Sequence, residues 1–447
     1  MATEGIVIIG AGPAGAAAAI GLARMGEPVV LVGEPRRFAA VEGTSVRVID
    51  ALRGLGLRQA LQALAPPSPR RAVWNGRYTE ANQESLVDRE RFDRGLLDDL
   101  ERLGVKLVRG RVTALHSAPG LHELEIDTGA GRRTLAADFL VEARGRAAPG
   151  GGAPRLRGVE TVSLLQYWRG PAGEAGSAVT GVEDGWMWMA ALADGRRYLQ
   201  LTIDVASASL PPKRALGDYC SARFRAVEAA TPFLRDAEPV GEPYARTSTA
   251  VLNEVVAGDD WIRVGDAAMA VDPLSGNGIF QALSSALQAP AVVATLRHDP
   301  HRAALARQFH SRRIEHLFHR FARIGRDFYA QELRWPQAPF WAARRGWPDA
   351  QPLHATVTPE TVRVARGPVV CEGRIVEADV VVTPDQPLGV WQVDGLAVAP
   401  ILAALRAEEG SALDKVRGEA VLCARFGLEP ARAAGLLAWM RAQNWLI

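Results

Sequence analysis

Lysine is nearly missing from this chain. Of 447 residues only Lys106, Lys213 and Lys415 carry an ammonium group, so arginine supplies most of the positive charge. Chemistry that needs a lysine has few places to sit, and none before residue 106. Cysteine is equally scarce: Cys220, Cys371 and Cys423 are odd in number and far apart. That pattern excludes a disulfide framework and a metal-type cysteine cluster, and it predicts reduced thiols and no metal. A large charge of one sign is also lacking. The formal net charge of +2 gives no global attraction for nucleic acid. No basic-then-apolar leader opens the chain, and no run of about twenty uncharged apolar residues is expected to cross a membrane. The expectation is a cytoplasmic protein of two or three domains with a sizeable core.

What is present is concentrated in the first thirty-odd residues. Ile6 to Ile9 form a continuous apolar run, as a parallel strand buried on both faces requires. Gly10, Gly12 and Gly15, with Ala14 between the last two, then supply G-x-G-x-x-G where that strand must turn into a helix. One glycine permits the tight turn, one lets the backbone approach a pyrophosphate, and one packs helix on strand. Free N–H groups and the positive helix end hold phosphate charge. A second strand ends at Val29-Val-Leu-Val-Gly-Glu34. Glu34 is the candidate for a ribose contact, one residue beyond the usual spacing, which falls on Gly33.

Further along, small and polar residues at Val41–Ser45 interrupt the pattern before a helix over Val46–Leu55. A second helix is predicted over Phe92–Leu103, with leucines on one face. Val105–Val108, Arg111–Leu115 and Leu121–Asp127 read as a β-meander, and Phe139–Gly145 as a buried strand ending at a glycine turn. Residues 159–252 change character: Val162–Trp168, Gly185–Leu192 and Tyr198–Val205 have the composition of an antiparallel sheet. Trp186 and Trp188 share a face there, either as core aromatics or as walls of a pocket for a planar substrate. Pro211–Ala230 reads as helical.

The α/β pattern returns at Trp261–Ala268, where a strand closes on Gly265-Asp266. In the loop that follows, Pro273, Gly276, Asn277 and Gly278 imply close backbone contact with something flat at the start of a long helix, Ile279–Leu296. Residues 300–346 hold ten arginines against Glu315, Asp327 and Glu332. Apolar spacing there predicts an amphipathic helix whose arginines are solvated, paired with acids, or offered to an acidic partner. Pro348–Pro359 reads as a linker. Beyond it, two strands (Val362–Val370 and Ile375–Val382) precede three helices near Leu396–Leu405, Ala412–Ala424 and Pro430–Ala442. Nine basic against eleven acidic residues over 360–447 argue against DNA.

Three separated motifs together resemble the flavoprotein monooxygenase and flavin-dependent halogenase superfamily, the p-hydroxybenzoate hydroxylase fold. They are Gly10/Gly12/Gly15, Arg89-x-x-Phe92-Asp93, and Gly265-Asp266 with Pro273-x-x-Gly276-x-Gly278. The resemblance spans residues 5–300 and implies FAD rather than NAD. It also implies roles: the glycine loop on the pyrophosphate, Arg89 on the flavin nucleotide, Asp266 on the ribityl chain, and the Pro273–Gly278 turn at the flavin pyrimidine edge. The implied fold is α/β, with a Rossmann-like FAD-binding domain (1–158 and 253–346) and an antiparallel-sheet substrate domain (159–252). A small C-terminal α+β, winged-helix-like module (347–447) would serve docking or act as a lid.

Departures from the family pattern narrow the reading. NADPH-using hydroxylases carry an Asp-Gly pair where this chain has Ala143-Arg144-Gly145. Trp186-Met-Trp188 resembles the halogenase W-x-W-x-I-P, but Ala190 and Ala191 replace Ile-Pro, and the early lysine that halogenases need is missing. The chain most resembles the branch that hydroxylates a peptide tryptophan during tryptophylquinone biogenesis, as in the maturation of quinohemoprotein amine dehydrogenase. The expected activity is FAD-dependent hydroxylation of an electron-rich aromatic group, with a crosslinked peptide or protein subunit as partner and NAD(P)H or a flavin reductase as reductant. Rival readings are a small-molecule aromatic hydroxylase, a halogenase, a geranylgeranyl-reductase-like flavoenzyme, and a binding partner with structural FAD. No catalytic acid or base stands out.

Overall fold

The computed structural model describes residues 3–36, 38–276, 278–407 and 415–446. A five-stranded parallel sheet runs in the order Trp261–Arg263, Phe139–Glu142, Ile6–Ile9, Val29–Gly33, Lys106–Arg109. Ile6, Ile8, Leu31, Phe139 and Val141 face a layer of helices. Val7, Ile9, Val30 and Val32 face the antiparallel meander Arg111–Ala118, Leu121–Asp127, Arg132–Ala137. Burial on both faces is why these strands read as unbroken apolar runs. In the first helix, Pro13–Arg24, Ala16 to Ala19 are at most 1% exposed, because small side chains let strand and neighbouring helices close in. One expectation fails here. Lys106–Arg109 belongs to the parallel sheet, and the meander takes Arg132–Ala137 in its place.

The second large element is an eight-stranded mixed sheet. Its order is Glu238–Thr247, Thr161–Arg169, Arg196–Asp204, Gly185–Ala191, Gly176–Val182, Ser68–Trp74, Arg77–Asp88, Val41–Thr44. It therefore draws three strands from before residue 90, and Val41–Thr44 is an edge strand rather than an interruption. One face, with Met187, Met189, Leu199 and Leu201, packs on the helix Leu216–Arg225. The other face carries Trp186, Trp188 and Tyr198. The sequence-predicted single helix after Gly278 is two, Gly278–Ala286 and Ala289–His298; Pro290 sits in the first turn of the second, where its missing N–H costs nothing. The combined segment Gly278–His298 is long and apolar enough to cross a membrane by length and composition, contrary to expectation, yet 72% of its window is buried inside the protein.

The 29-residue helix Ala303–Gln331 lies across both halves, and several of its arginines are paired with acids: Arg307 with Asp259, Arg323 and Arg326 with Asp349. The C-terminal hairpin, Arg363–Cys371 with Arg374–Val382, inserts Ile375 into the core between the parallel sheet and its helices. Val398–Ala407, Lys415–Phe426 and Pro430–Ala442 build a separate apolar cluster around Leu402, Leu422 and Leu437.

On the long helix His310 is 3% exposed, and its Nε2–H donates to the Arg263 carbonyl at 2.8 Å. Burial pushes the imidazole pKa down to about 4 from 6.5. The folded ring stays neutral, so its contribution is complete above pH 6.5 and is lost as pH falls from 6.5 toward 4, on the order of 3 kcal/mol. Urea midpoints measured across that window should fall in the native chain, and the fall should be shallower in His310→Gln. Equal slopes would refute the assignment.

Candidate functional site

The three N-terminal glycines separate by what a side chain would meet. Gly10 has φ +113°, and a Cβ there would overlap the Ala143 carbonyl. A Cβ at Gly15 would overlap the carbonyl oxygen of Gly10. Those two glycines are required by the chain itself. Gly12 is different: it caps the helix Pro13–Arg24 with ordinary extended dihedrals, and a Cβ there meets nothing within 4 Å among the described residues. Its bareness serves something outside the chain, at the positive end of a helix, which suits a pyrophosphate. Gly33 shows why Glu34 arrives one residue late. A Cβ at 33 would lie 2.6 Å from that of Ala11, so the strand end admits no side chain there.

The second motif reaches the same place from far along the chain. Gly265, at φ +59°, is so close to the first helix that its Cβ would lie 2.7 Å from that of Ala14. Its N–H donates to Ser285 Oγ at 2.9 Å, tying it to the helix that starts at Gly278. Asp266 stands across from Gly145, and burial raises its carboxyl above the usual range while Arg146 opposes that shift. Pro273–Ser275 forms one turn closed by Gly276 at φ +63°. Gly278, like Gly12, begins a helix with open space beside it. Asn277 lies outside the described residues.

Arg146 went unnoticed in the sequence, yet it binds this half together. Its Nη1 donates to Thr249 O at 2.6 Å and its Nη2 to Val271 O at 2.9 Å, while its Nε stands 3.5 Å from Asp266. No local signal marks it, because its partners lie more than a hundred residues away.

Arg89 opens the helix Arg89–Arg102, whose N-cap is Asp88. Its guanidinium forks onto Asp93 at 2.7 and 3.1 Å and reaches Glu42 at 2.6 Å. Arg36 adds contacts of 3.5 Å to both carboxylates. Burial alone would raise the Glu42 carboxyl, but Arg89 and Arg36 hold it below its ordinary value. The field of this cluster also acts on Asp266, so the R-x-x-F-D and G-D motifs share one electrostatic neighbourhood.

Trp186 is buried at 3%, and Trp188 packs beside it, edge-on to Tyr198 at 5.7 Å. On the same face Ser163, Thr202 and Ser248 form a buried hydroxyl cluster. Asp272 accepts from Leu274 N–H and from the Tyr329 hydroxyl. Nothing in the sequence indicated Asp272 or Tyr329 as partners. Among the described residues no group of three or more His, Cys, Asp or Glu side chains is placed to hold a metal.

A family model described as "FAD binding domain" matches residues 3–153. A tryptophan 2-halogenase of Chondromyces crocatus is 28% identical over 76% of this chain and 70% of its own length. A menaquinone reductase of Mycolicibacterium smegmatis is 30% identical over 63% of this chain and 74% of its own. Among solved structures, QhpG, a peptidyl tryptophan dihydroxylase essential for tryptophylquinone cofactor biogenesis, is 52% identical with TM-score 0.84, and both chains are covered in full. The halogenase CmlS shares the fold at 18% identity, TM-score 0.77, over all of this chain and 96% of its own. Two open helix N-termini and a G-D motif packed onto the glycine turn fit the cofactor that these relatives imply. The chain belongs to the flavin-dependent monooxygenase and halogenase superfamily, and its cofactor is FAD.

Proposed function

We propose that this flavoprotein hydroxylates a tryptophan ring carried by a peptide or protein during maturation of a tryptophylquinone. The observation that carries this reading is full-length similarity, at 52% identity, to a peptidyl tryptophan dihydroxylase. Lysine placement supports it over halogenation. Lys106 is paired with Glu4 at the edge of the parallel sheet, and Lys213 precedes the helix on the far face of the mixed sheet. The bound flavin would supply oxygen activation. In this reading Gly10, Gly12, Ala14 and Gly15 carry the pyrophosphate, Glu34 the ribose, and Asp266 with the Pro273–Gly278 turn the flavin end. Arg89 sets the charge beside them, and Trp186 and Trp188 wall the pocket, excluding water from the reacting ring. Reducing equivalents come from NAD(P)H or a flavin reductase.

Residues 1–158 and 253–346 would form the cofactor half, 159–252 the substrate sheet, to which Val41–Thr44, Ser68–Trp74 and Arg77–Asp88 add three strands, and 347–447 a module that docks the polypeptide. Docking fits better than a lid. The hairpin tip at Gly373 packs against Met25, at the end of the first helix opposite the glycine turn, about 18 Å away for twelve residues.

Holoenzyme supplied with a reductant and oxygen should add oxygen to a crosslinked tryptophan-bearing peptide, read by mass spectrometry, and should leave free tryptophan unbrominated in bromide. Bromination of free tryptophan with no change in the peptide would sink the proposal.

A further inference from the structure

The strand Gly185–Ala191 and the turn Pro273–Ser275 are joined by three buried side chains. Trp186 Nε1–H donates to the Tyr329 hydroxyl at 3.2 Å. With that lone pair occupied, Tyr329 turns its own proton toward Asp272, whose two oxygens both lie 3.1 Å away. Asp272 in turn accepts Leu274 N–H at 2.8 Å and so fixes the turn Pro273–Ser275. Exposures of 3%, 2% and 9% exclude solvent competition. Phe340 and Trp341 hold the Tyr329 ring edge-on, with centroids at 5.7 and 5.9 Å. The three residues come from a strand, the long helix and a loop, and simple core packing would need no hydroxyl at 329.

Beyond Asp272 lies a cavity of about 10 Å³, lined by Asp272, Tyr329, Arg344 and Trp347 among others, near the size that one water needs. Arg344 is 4% exposed, and among the described residues its Nε finds no partner. A buried donor and a carboxylate on one small cavity meet the polar requirement for an ordered water.

We propose that Tyr329 and Asp272, with one water seated between Asp272 and Arg344 Nε, form a bolt that holds the Trp186 wall at a fixed distance from the Pro273 turn. Tyr329 and Asp272 are positioning residues, and only their effect on turnover rests on the monooxygenase reading. Oxygen transfer needs ring and flavin within a near-attack distance, and a displacement of about 1 Å can cost roughly 10²-fold. When the wall drifts, oxygen would take two electrons from the reduced flavin, with two protons, and leave as hydrogen peroxide, and neither of its atoms would reach the ring.

The test uses the FAD-loaded full chain. Tyr329→Phe keeps the ring and removes only the hydroxyl. Backbone hydrogen exchange should speed up in both 185–191 and 272–281, bound flavin should remain, and the ratio of peroxide to hydroxylated peptide should rise several-fold. Asp272→Asn, which still accepts from Leu274 and Tyr329, should behave more mildly than Asp272→Ala. Unchanged exchange in either segment overturns the bolt, and so does acceleration confined to the long helix. A native chain that never hydroxylates the peptide overturns the function reading instead, leaving exchange to judge the bolt. A crystal structure showing that cavity dry removes the water from it.

Discussion

Gly12→Asp should fold and purify colourless. The substituted residue keeps dihedrals open to any amino acid, φ −75° and ψ −177°, and its Cβ meets no atom within 4 Å. Aspartate is also a favoured N-cap, so the helix Pro13–Arg24 should hold or gain stability. The cofactor loses its seat: a carboxylate placed where a pyrophosphate sits, about 4 Å from its charge, is repelled by about 4 kcal/mol, or roughly a thousandfold in affinity. Flavin absorbance per protein together with thermal melting reads both halves of the prediction. Gly15→Ala should fail differently, losing the fold along with the flavin, because its methyl would overlap the Gly10 carbonyl. Stoichiometric flavin in Gly12→Asp would show that the pyrophosphate lies elsewhere.

That contrast shows which part of this protein was legible in its sequence. Local devices were readable. The strand Ile6–Ile9 and the helix Pro430–Ala442 announce themselves through runs and caps whose causes lie within a few residues. The glycine spacing named the tight turn into the first helix for the same reason. Pairings across the chain were not readable. Lys106–Arg109 resembles a meander strand because its sequence neighbours form one, and only its register against Val30–Gly33 puts it in the parallel sheet. The mixed sheet takes Ser68–Trp74 alongside Gly176–Val182, a partnership between segments a hundred residues apart. The site repeats this division. Glycines whose task is conformational could be named individually, whereas Arg146, Glu42 and Tyr329 act through partners brought in by the fold. A lone arginine or tyrosine carries no periodicity to mark it.

Arg89→Ala should destabilise the protein more than almost any other exposed-looking charge change in the first hundred residues. Arg89 and Asp93 side chains are 6% and 7% exposed, and the guanidinium forms two of its bonds to Asp93. Removing it leaves a buried carboxylate whose one remaining cation among the described residues is Arg36, at 3.5 Å, a loss of the kind worth about 3–5 kcal/mol. Glu42, whose side chain is 34% exposed, keeps part of its hydration and should account for the smaller share of that cost. Arg89→Lys keeps the charge but not the fork, so it should recover only part of the loss. Adding Asp93→Ala to Arg89→Ala removes the stranded charge and should restore stability relative to the single variant. The pH dependence has a definite sign. Glu42 is held below its ordinary value of 4.5, so its contribution is complete above that value and disappears as pH falls below it; in Arg89→Ala this acid limb should shrink. Denaturant titrations of the four proteins decide the matter. A cost below about 1 kcal/mol for Arg89→Ala, the worth of a solvent-exposed pair, would mean that the cluster is wet, and the buried electrostatic link from Arg89 to Asp266 would go with it.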